Sequence, residues 1–165
     1  MVLEVMGRYA GWIALESAIA GGGDVALIPE IPFDLEKVAN KIKDRMEKGK
    51  RFSLVVVAEG AMPKDGEITV KDVRDNGKGV DNTRLGGIGE KVAAELQRLT
   101  GLEARNTTLG YMQRGGTPTA YDRVLSTKYG SKAMELALDR KIRCTYSTKK
   151  WKIRFSSSRR CSRRK

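Results

Sequence analysis

The first 139 residues contain no cysteine, and the chain has no apolar run long enough to span a membrane. Its amino end also lacks the pattern of a secretory signal peptide. A body without cysteine excludes the disulfide framework that stabilises many small secreted domains. We therefore expect a cytoplasmic domain without membrane contact, built around an apolar core for which 165 residues are sufficient.

Acidic residues are absent from the stretch 140–165, which contains twelve lysines and arginines. Residues 1–139 contain 20 basic and 20 acidic side chains, so the net charge of +12 belongs entirely to this tail. Both cysteines, Cys144 and Cys161, lie there too. A Ser/Arg/Lys-rich stretch without a regular hydrophobic periodicity is typical of a disordered basic tail. Such a tail binds polyanions loosely, so we predict no specific nucleic-acid partner.

Short apolar runs alternate with helical patterns along the neutral body. A strand beginning at Val2 breaks at Gly7 and is followed by a small-residue helix that contains Trp12. The β-α-β-α-β order predicts an α/β fold with a doubly wound, mainly parallel sheet of Rossmann-like type. The other predicted strands are Asp24–Glu30, Phe52–Ala58 and Glu103–Leu109. The other predicted helices run from the N-cap Asp34 to Gly49, from Gly87 to Thr100 with Gly101 as the stop, and from Ala120 to Leu138.

Residues 60–85 interrupt this alternation. They are rich in glycine, aspartate, lysine and asparagine, with one short strand candidate at Glu67–Val70. This composition predicts an insertion or hairpin on the surface of the domain.

Chemistry-bearing residues follow several of the predicted strands. Because ligands of open α/β sheets bind at the carboxyl ends of strands, we expect a site built from Met6–Arg8, Glu59 and the loop Gly110–Gly116 with Arg114. Arg105 adds a further cation, and the helix after Gly7 offers an amino end suited to an anion. These groups suit a phosphorylated sugar. The alternative is a set of solvated arginines and a strand-end glutamate in an ion pair.

Several motifs resemble the C-terminal half of the 6-phosphofructokinase family. The resemblance covers residues 2–139, and its most specific part is Met-Gly-Arg followed at family spacing by Gln-Arg-Gly-Gly. The matching segments are Val5–Trp12, Ala20–Gly22, Ile28–Glu30, Val57–Glu59 and Leu109–Arg123. The 60–85 insertion and Leu85–Glu90 resemble the mixed-substrate branch, which includes ATP- and pyrophosphate-using members.

The resemblance implies roles for individual residues in binding fructose 6-phosphate. Met6, Gly7 and Arg8 match the family's Met-Gly-Arg contact, Glu59 matches the glutamate that binds the sugar, and Arg114 matches an arginine on the 6-phosphate. Arg105 matches an arginine that reaches the neighbouring subunit's substrate site, which implies a homo-oligomer.

Two further features are weighed against the family pattern. Tyr111 stands where the family has a phosphate-binding histidine; because its hydroxyl carries no positive charge at neutral pH, we expect weaker phosphate affinity. Lys48, Lys50 and Arg51, with Gly22–Asp24, correspond to an effector site in the short bacterial branch, although a solvated helix end is the stronger explanation for them.

The family transfers a phosphoryl group to fructose 6-phosphate in glycolysis, giving fructose 1,6-bisphosphate, with Mg²⁺ and ATP or pyrophosphate. Its donor-phosphate loop, its Mg-binding segment and its catalytic aspartate lie N-terminal to the region matched here. We therefore expect this chain to bind sugar phosphate and not to turn over, with no catalytic or metal-ligating residue of its own. The alternatives are a non-catalytic binding module and a gene remnant.

The tail suggests a cause for this partial pattern. Codons can be chosen for Arg140–Phe155 so that a one-base shift reads a family-like segment. We hypothesise that 140–165 is an out-of-frame translation, so that the chain divides into a phosphofructokinase region, 1–139, and an aberrant tail. Resequencing of the coding DNA tests this hypothesis.

Overall fold

The computed structural model describes residues 1–73, 83–139, 144–149 and 152–157. It contains two compact units, Met1–Gly115 and Gly116–Lys165. The strands of the first unit are β1 Val2–Val5, β2 Val25–Leu27, β3 Val55–Ala58, β4 Val70–Val73, β5 Thr83–Leu85 and β6 Asn106–Thr108. Its helices are α1 Trp12–Gly21, α2 Leu35–Glu47 and α3 Ile88–Thr100, and a 3₁₀ helix spans Gly110–Arg114. The division at residue 139 that the sequence suggested stays a prediction.

Four of these strands form one parallel sheet in the order β2-β3-β1-β6. Val2 pairs with Val55 on one side and with Asn106 on the other, so β1 is a central strand. Helix α1 packs on one face of the sheet, and α2 and α3 pack against each other and against the opposite face. The predicted doubly wound α/β fold is therefore confirmed.

The core has two layers, one on each face of the sheet. All four residues of β3 are buried, because a parallel strand between two helical layers has no face toward water. On one face Val56 and Ala58 pack against Ala14 and Ala18 of α1. On the other face Val55 and Val57 belong to the larger cluster, which includes Ile42 from α2 and Val92 and Leu96 from α3.

Helix ends agree with the sequence prediction more closely than strand ends do. The Asp34 side chain accepts from the backbone N–H groups of Glu36 and Lys37, and Gly101 ends α3 in the left-handed conformation. The strands are shorter than predicted, because a strand includes only the residues that pair with a neighbouring strand. Thus β2 ends at Leu27, two residues before Pro29, and β6 begins at Asn106 and not at Glu103.

The interruption at 60–85 contains an antiparallel hairpin of β4 and β5. Its first strand begins at Val70, where the sequence-based strand candidate ended, and residues 74–82 lie outside the described part of the chain. Leu85, at the end of β5, is buried, so the hairpin is attached to the domain and does not project freely from it.

The second unit consists of α4 Ala120–Leu138 and an antiparallel pair, β7 Cys144–Lys149 and β8 Lys152–Ser157. The paired strands replace the disordered tail expected at these positions, and β-formers such as Thr145, Tyr146, Ile153 and Phe155 favour pairing. The remaining tail residues, including Cys161, lie outside the described ranges. Within the described ranges, no helix has the length and apolar character needed to cross a membrane.

Candidate functional site

The candidate site lies where β1 and β3 end side by side. After β1 the chain passes to α1 on one face of the sheet, whereas after β3 it passes, through the hairpin, to α3 on the other. Two neighbouring strands whose connections leave toward opposite faces open a crevice at their carboxyl ends, which is where open α/β sheets bind ligands. Gly7 and Arg8 lie on one side of this crevice and Glu59 on the other.

Glu59 and the Gly7–Arg8 turn are joined by hydrogen bonds across the crevice. The Glu59 Oε1 atom accepts from the backbone N–H of Arg8 at 2.9 Å and from that of Gly7 at 3.3 Å. Because both bonds go to one oxygen, Oε2 keeps its capacity to accept from a ligand hydroxyl. The structure therefore brings Gly7 and Arg8 into contact with Glu59, and the role of these residues in ligand binding stays a prediction.

The backbone of this turn is tightly constrained. Arg8 has a φ of 51°, the only left-handed value among the non-glycine residues that the structure describes. A Cβ atom at Gly60 would lie 1.8 Å from the carbonyl oxygen of Arg8, so only glycine permits this approach. Backbone strain of this kind is concentrated at functional sites, where the surrounding structure holds it. The Arg8 guanidinium lies 5.1 Å from the centre of the Tyr9 ring.

The amino end of α1 is occupied by a carboxylate that sequence analysis did not identify as functional. Glu30, which follows β2, accepts from the backbone N–H of Gly11 through both oxygens, at 2.8 Å and 3.1 Å. One donor at the helix end that was expected to bind an anion is therefore engaged by Glu30, and the anion site itself stays a prediction. The signal was present in the sequence, since Glu30 is the last residue of one predicted strand and Glu59 directly follows another.

The loop after β6 is attached to the crevice by Gln113. Its side-chain Oε1 accepts from the backbone N–H of Met6 at 3.1 Å, and its Nε2 donates to the carbonyl oxygen of Gly110 at 3.1 Å. These bonds hold the 3₁₀ helix beside the end of β1. Tyr111 and Arg114 on this helix are exposed, and the Arg114 guanidinium has no ion-pair or hydrogen-bond partner among the described residues. Gln113 belongs to a motif found in the sequence analysis, but its role as a bridge between the loop and β1 could not be predicted from the sequence.

Arg105 lies near the amino ends of the strands, whereas the crevice lies at their carboxyl ends. Its backbone carbonyl accepts from the N–H of Val2, so Arg105 lies just before β6, where the strands of the sheet begin. Its guanidinium forms an ion pair with Glu103 at 2.7 Å. Within one chain the structure thus separates Arg105 from the other predicted site residues.

The predicted effector residues also lie toward the amino edge. Lys48 caps the carboxyl end of α2, and Lys50 and Arg51 lead from it toward β3; all three are exposed. Asp24, which the sequence placed near them, forms an ion pair with Arg45 at 2.6 Å and accepts from the N–H of Leu54 at 2.8 Å. Arg51 also borders a cavity of about 300 Å³ between α2 and α3.

A cluster suited to a metal ion is not found among the residues that the structure describes: no three His, Cys, Asp or Glu side chains converge. Glu59 and Glu30 are each engaged by backbone N–H groups and stand apart as single carboxylates. These two carboxylates therefore do not form a Mg²⁺ site.

The fold and the crevice define an α/β protein whose candidate ligand groups are gathered at one sheet switch point. A family model described as phosphofructokinase matches residues 1–137, which is most of the chain. The chain belongs to the phosphofructokinase family.

Individual relatives agree with this assignment. The chain is 58% identical over 137 residues to ATP-dependent 6-phosphofructokinase 2 of Clostridium perfringens, covering 82% of this chain and 37% of that one. It is 49% identical over 139 residues to the pyrophosphate–fructose 6-phosphate 1-phosphotransferase of Streptomyces coelicolor, covering 84% and 40%. The chain thus spans about two fifths of the length of these relatives, and the family includes both ATP- and pyrophosphate-dependent members.

A solved structure supports the fold. The crystal structure of Pichia pastoris phosphofructokinase in the T-state superposes with a TM-score of 0.63 at 34% sequence identity, covering 93% of this chain and 15% of that chain. The α/β architecture derived above is therefore that of phosphofructokinases.

Proposed function

We propose that this chain is the fructose 6-phosphate-binding part of a 6-phosphofructokinase, corresponding to the C-terminal half of the mixed-substrate branch. The observation that carries the proposal is the contact of Glu59 with the Gly7–Arg8 turn at the switch point. Gln113 joins this turn to the loop that presents Arg114. A carboxylate and a guanidinium without a partner in the described ranges are thereby attached to one crevice.

The proposed roles follow from the chemistry of each group. Glu59, through its second oxygen, accepts hydrogen bonds from sugar hydroxyls, while Met6, Gly7 and Arg8 form the wall beside the sugar. Arg114 takes the phosphate, because a guanidinium offers paired donors that match phosphate oxygens. Tyr111, beside Arg114, adds one neutral hydroxyl donor where a histidine could add charge.

The site is completed, in this proposal, by a second copy of the chain. Arg105 lies at the amino edge, away from its own crevice, and is highly exposed. It is therefore available to a neighbouring subunit's sugar-phosphate site in a homo-oligomer. Lys48, Lys50 and Arg51 are proposed as an effector site only by resemblance, since the structure shows them as solvated cations.

Phosphoryl transfer belongs to the complete enzyme in this proposal, with ATP or pyrophosphate as donor and Mg²⁺ supplying charge neutralisation. The residues of this chain bind and orient the acceptor sugar. A non-catalytic sugar-phosphate-binding module is the second candidate, favoured by the lack of a converging carboxylate cluster in the described ranges. Phosphofructokinase activity of the purified chain above background would contradict that candidate.

A thermal melt of the purified chain with and without fructose 6-phosphate tests the proposal. A ligand that binds only the folded state raises the midpoint. We expect Arg114→Ala to weaken binding roughly tenfold to a hundredfold, because charge-assisted bonds contribute about 1.5–3 kcal/mol. Arg98→Ala is the matched control, since it removes the same charge from the exposed face of α3.

Each outcome of this melt distinguishes between the proposed functions of the chain. An upward shift that is reduced in Arg114→Ala and kept in Arg98→Ala supports the binding site. A cooperative melt without any shift contradicts sugar-phosphate binding by this chain alone. A melt without cooperativity favours the gene-remnant alternative. Sequencing of the coding DNA tests the same alternative, which is supported if a single-base correction restores a family-like frame after residue 139.

A further inference from the structure

The amino end of α1 is closed by a side chain from another part of the fold. Helix α1 begins after Gly11, which has no side chain to cap it, and Glu30 supplies the acceptor instead. A Cβ atom at Gly11 would lie 2.7 Å from Glu30 Oε2 and 2.4 Å from the Cβ of Ile28. Glycine at this position is therefore what allows the carboxylate to reach the helix.

The position of Glu30 is fixed by a turn that follows β2. The backbone N–H of Ile31 donates to the carbonyl oxygen of Ile28 at 3.3 Å, and Pro29 lies inside this turn. Proline restricts its own φ and so reduces the number of conformations available to the turn. The carboxylate is thus presented to α1 by a short, constrained connection and does not reach it through a long mobile segment.

The backbone donors between β1 and α1 are largely used by the protein itself. Gly7 and Arg8 donate to Glu59, Ala10 donates to the carbonyl oxygen of Gly7, and Gly11 donates to Glu30. Two carboxylates therefore stand on this turn, one at each end. A phosphate approaching this turn would meet two carboxylates and engaged backbone donors, whereas the loop after β6 presents the Arg114 guanidinium, which has no partner among the described residues.

We propose that Glu30 is a specificity-determining residue. Its carboxylate occupies the amino end of α1 in place of a ligand anion, and thereby restricts phosphate to the Arg114 side of the crevice. The Gly7–Gly11 turn is left for the neutral, hydroxyl-bearing part of the ligand. This inference rests on the proposed sugar-phosphate site for its biological meaning, but the closed helix end can be tested without sugar.

Inorganic phosphate is the probe, and backbone amide NMR shifts of Trp12 and Ile13 report on the helix end. We expect these amides to be insensitive to phosphate in the unaltered chain. In Glu30→Gln, which keeps an acceptor for Gly11 but removes the charge, we expect phosphate to shift these amides, because the repulsion between Glu30 and phosphate is gone. Glu16→Gln, which removes an exposed charge from the same helix, should change nothing.

The outcomes separate this inference from the proposed function. Phosphate shifts at Trp12 and Ile13 in the unaltered chain, or equal phosphate affinity in Glu30→Gln and in the unaltered chain, would overturn the role of Glu30. Failure of fructose 6-phosphate to bind, with the expected phosphate response at α1, would overturn the proposed function alone. If Glu30→Gln does not fold, the titration of the unaltered chain still decides.

Discussion

The four α-helices in the described part of the chain obtain carboxylates at their amino ends in two different ways. Helices α2 and α4 are capped locally, by Asp34 and by the Thr119–Asp122 capping box. Helices α1 and α3 begin after glycines and have no cap of their own. Their carboxylates come from distant strands: Glu30 follows β2 and serves α1, and Glu4 lies on β1 and serves α3.

The difference matters because a distant cap connects two elements, whereas a local cap stabilises only its own helix. Glu4 is 2% exposed and accepts from the backbone N–H groups of Gly87 and Gly89, each at 2.9 Å. Its backbone carbonyl also accepts from the N–H of Leu109, where the candidate phosphate loop begins. One residue of the central strand thus holds both α3 and an edge of the candidate site.

The largest expected effect is that of removing the buried cap. Glu4→Ala leaves two backbone N–H groups without their acceptor in the core, so we expect a loss of about 3–5 kcal/mol of unfolding free energy. Asp34→Ala removes a local cap that water can replace, and should cost about 1 kcal/mol. Urea denaturation of both variants measures the comparison. Equal losses would show that the distant cap has no special weight.

A smaller effect is expected from filling the space that the distant cap uses. A Cβ atom at Gly89 would lie 2.4 Å from Asn106 Oδ1 and 2.9 Å from Glu4 Oε2. We therefore expect Gly89→Ala to destabilise the domain by about 1–3 kcal/mol, although alanine favours helix formation.

The control for this variant is Gly21→Ala in the last turn of α1, where a Cβ atom meets nothing within 4 Å. It should leave stability unchanged or raise it by up to about 1 kcal/mol. Urea denaturation midpoints of the two variants decide. A neutral Gly89→Ala would show that α3 can shift without loss of its contact with Glu4.

This contrast also explains how much of the molecule could be predicted from the sequence. The Asp34 cap and the Gly101 stop are local signals, and both were predicted. The parallel sheet followed from the alternation of strands and helices. The proximity of Glu59 to Gly7 and Arg8 followed from the rule that ligand groups gather at the carboxyl ends of strands. Glu4 could not be assigned in the same way, because it lies inside a strand and its contact with α3 depends on how the elements pack. Glu30 lies at the end of a predicted strand, but its contact with Gly11 depends on the turn that follows β2.

Arg105 shows the limit of that rule. It was expected near the other cations because it lies in the predicted strand that leads into the loop Gly110–Gly116. The strand in the structure begins only at Asn106, so Arg105 lies before it, at the other edge of the sheet. The predicted strand, Glu103–Leu109, already had Arg105 near its amino end. Membership of a strand alone therefore does not bring a side chain to the carboxyl end of the sheet.

The smallest expected effect concerns the local capping box of α4 and its response to acid. Hydrogen bonds from the Thr119 hydroxyl and then from its backbone N–H hold the pKa of Asp122 below its ordinary value. Because the folded-state pKa is lowered, the box stabilises α4 above the ordinary aspartate pKa near 4 and loses this contribution as pH falls through the lower folded value. Amide hydrogen exchange at Arg123, followed from pH 5 to pH 2 after correction for the intrinsic rate, should show reduced protection at the acidic end. In Asp122→Asn that pH dependence should disappear while the Thr119 contact to the backbone remains. An unchanged profile in Asp122→Asn would mean that this exposed carboxylate does not contribute to helix capping in solution.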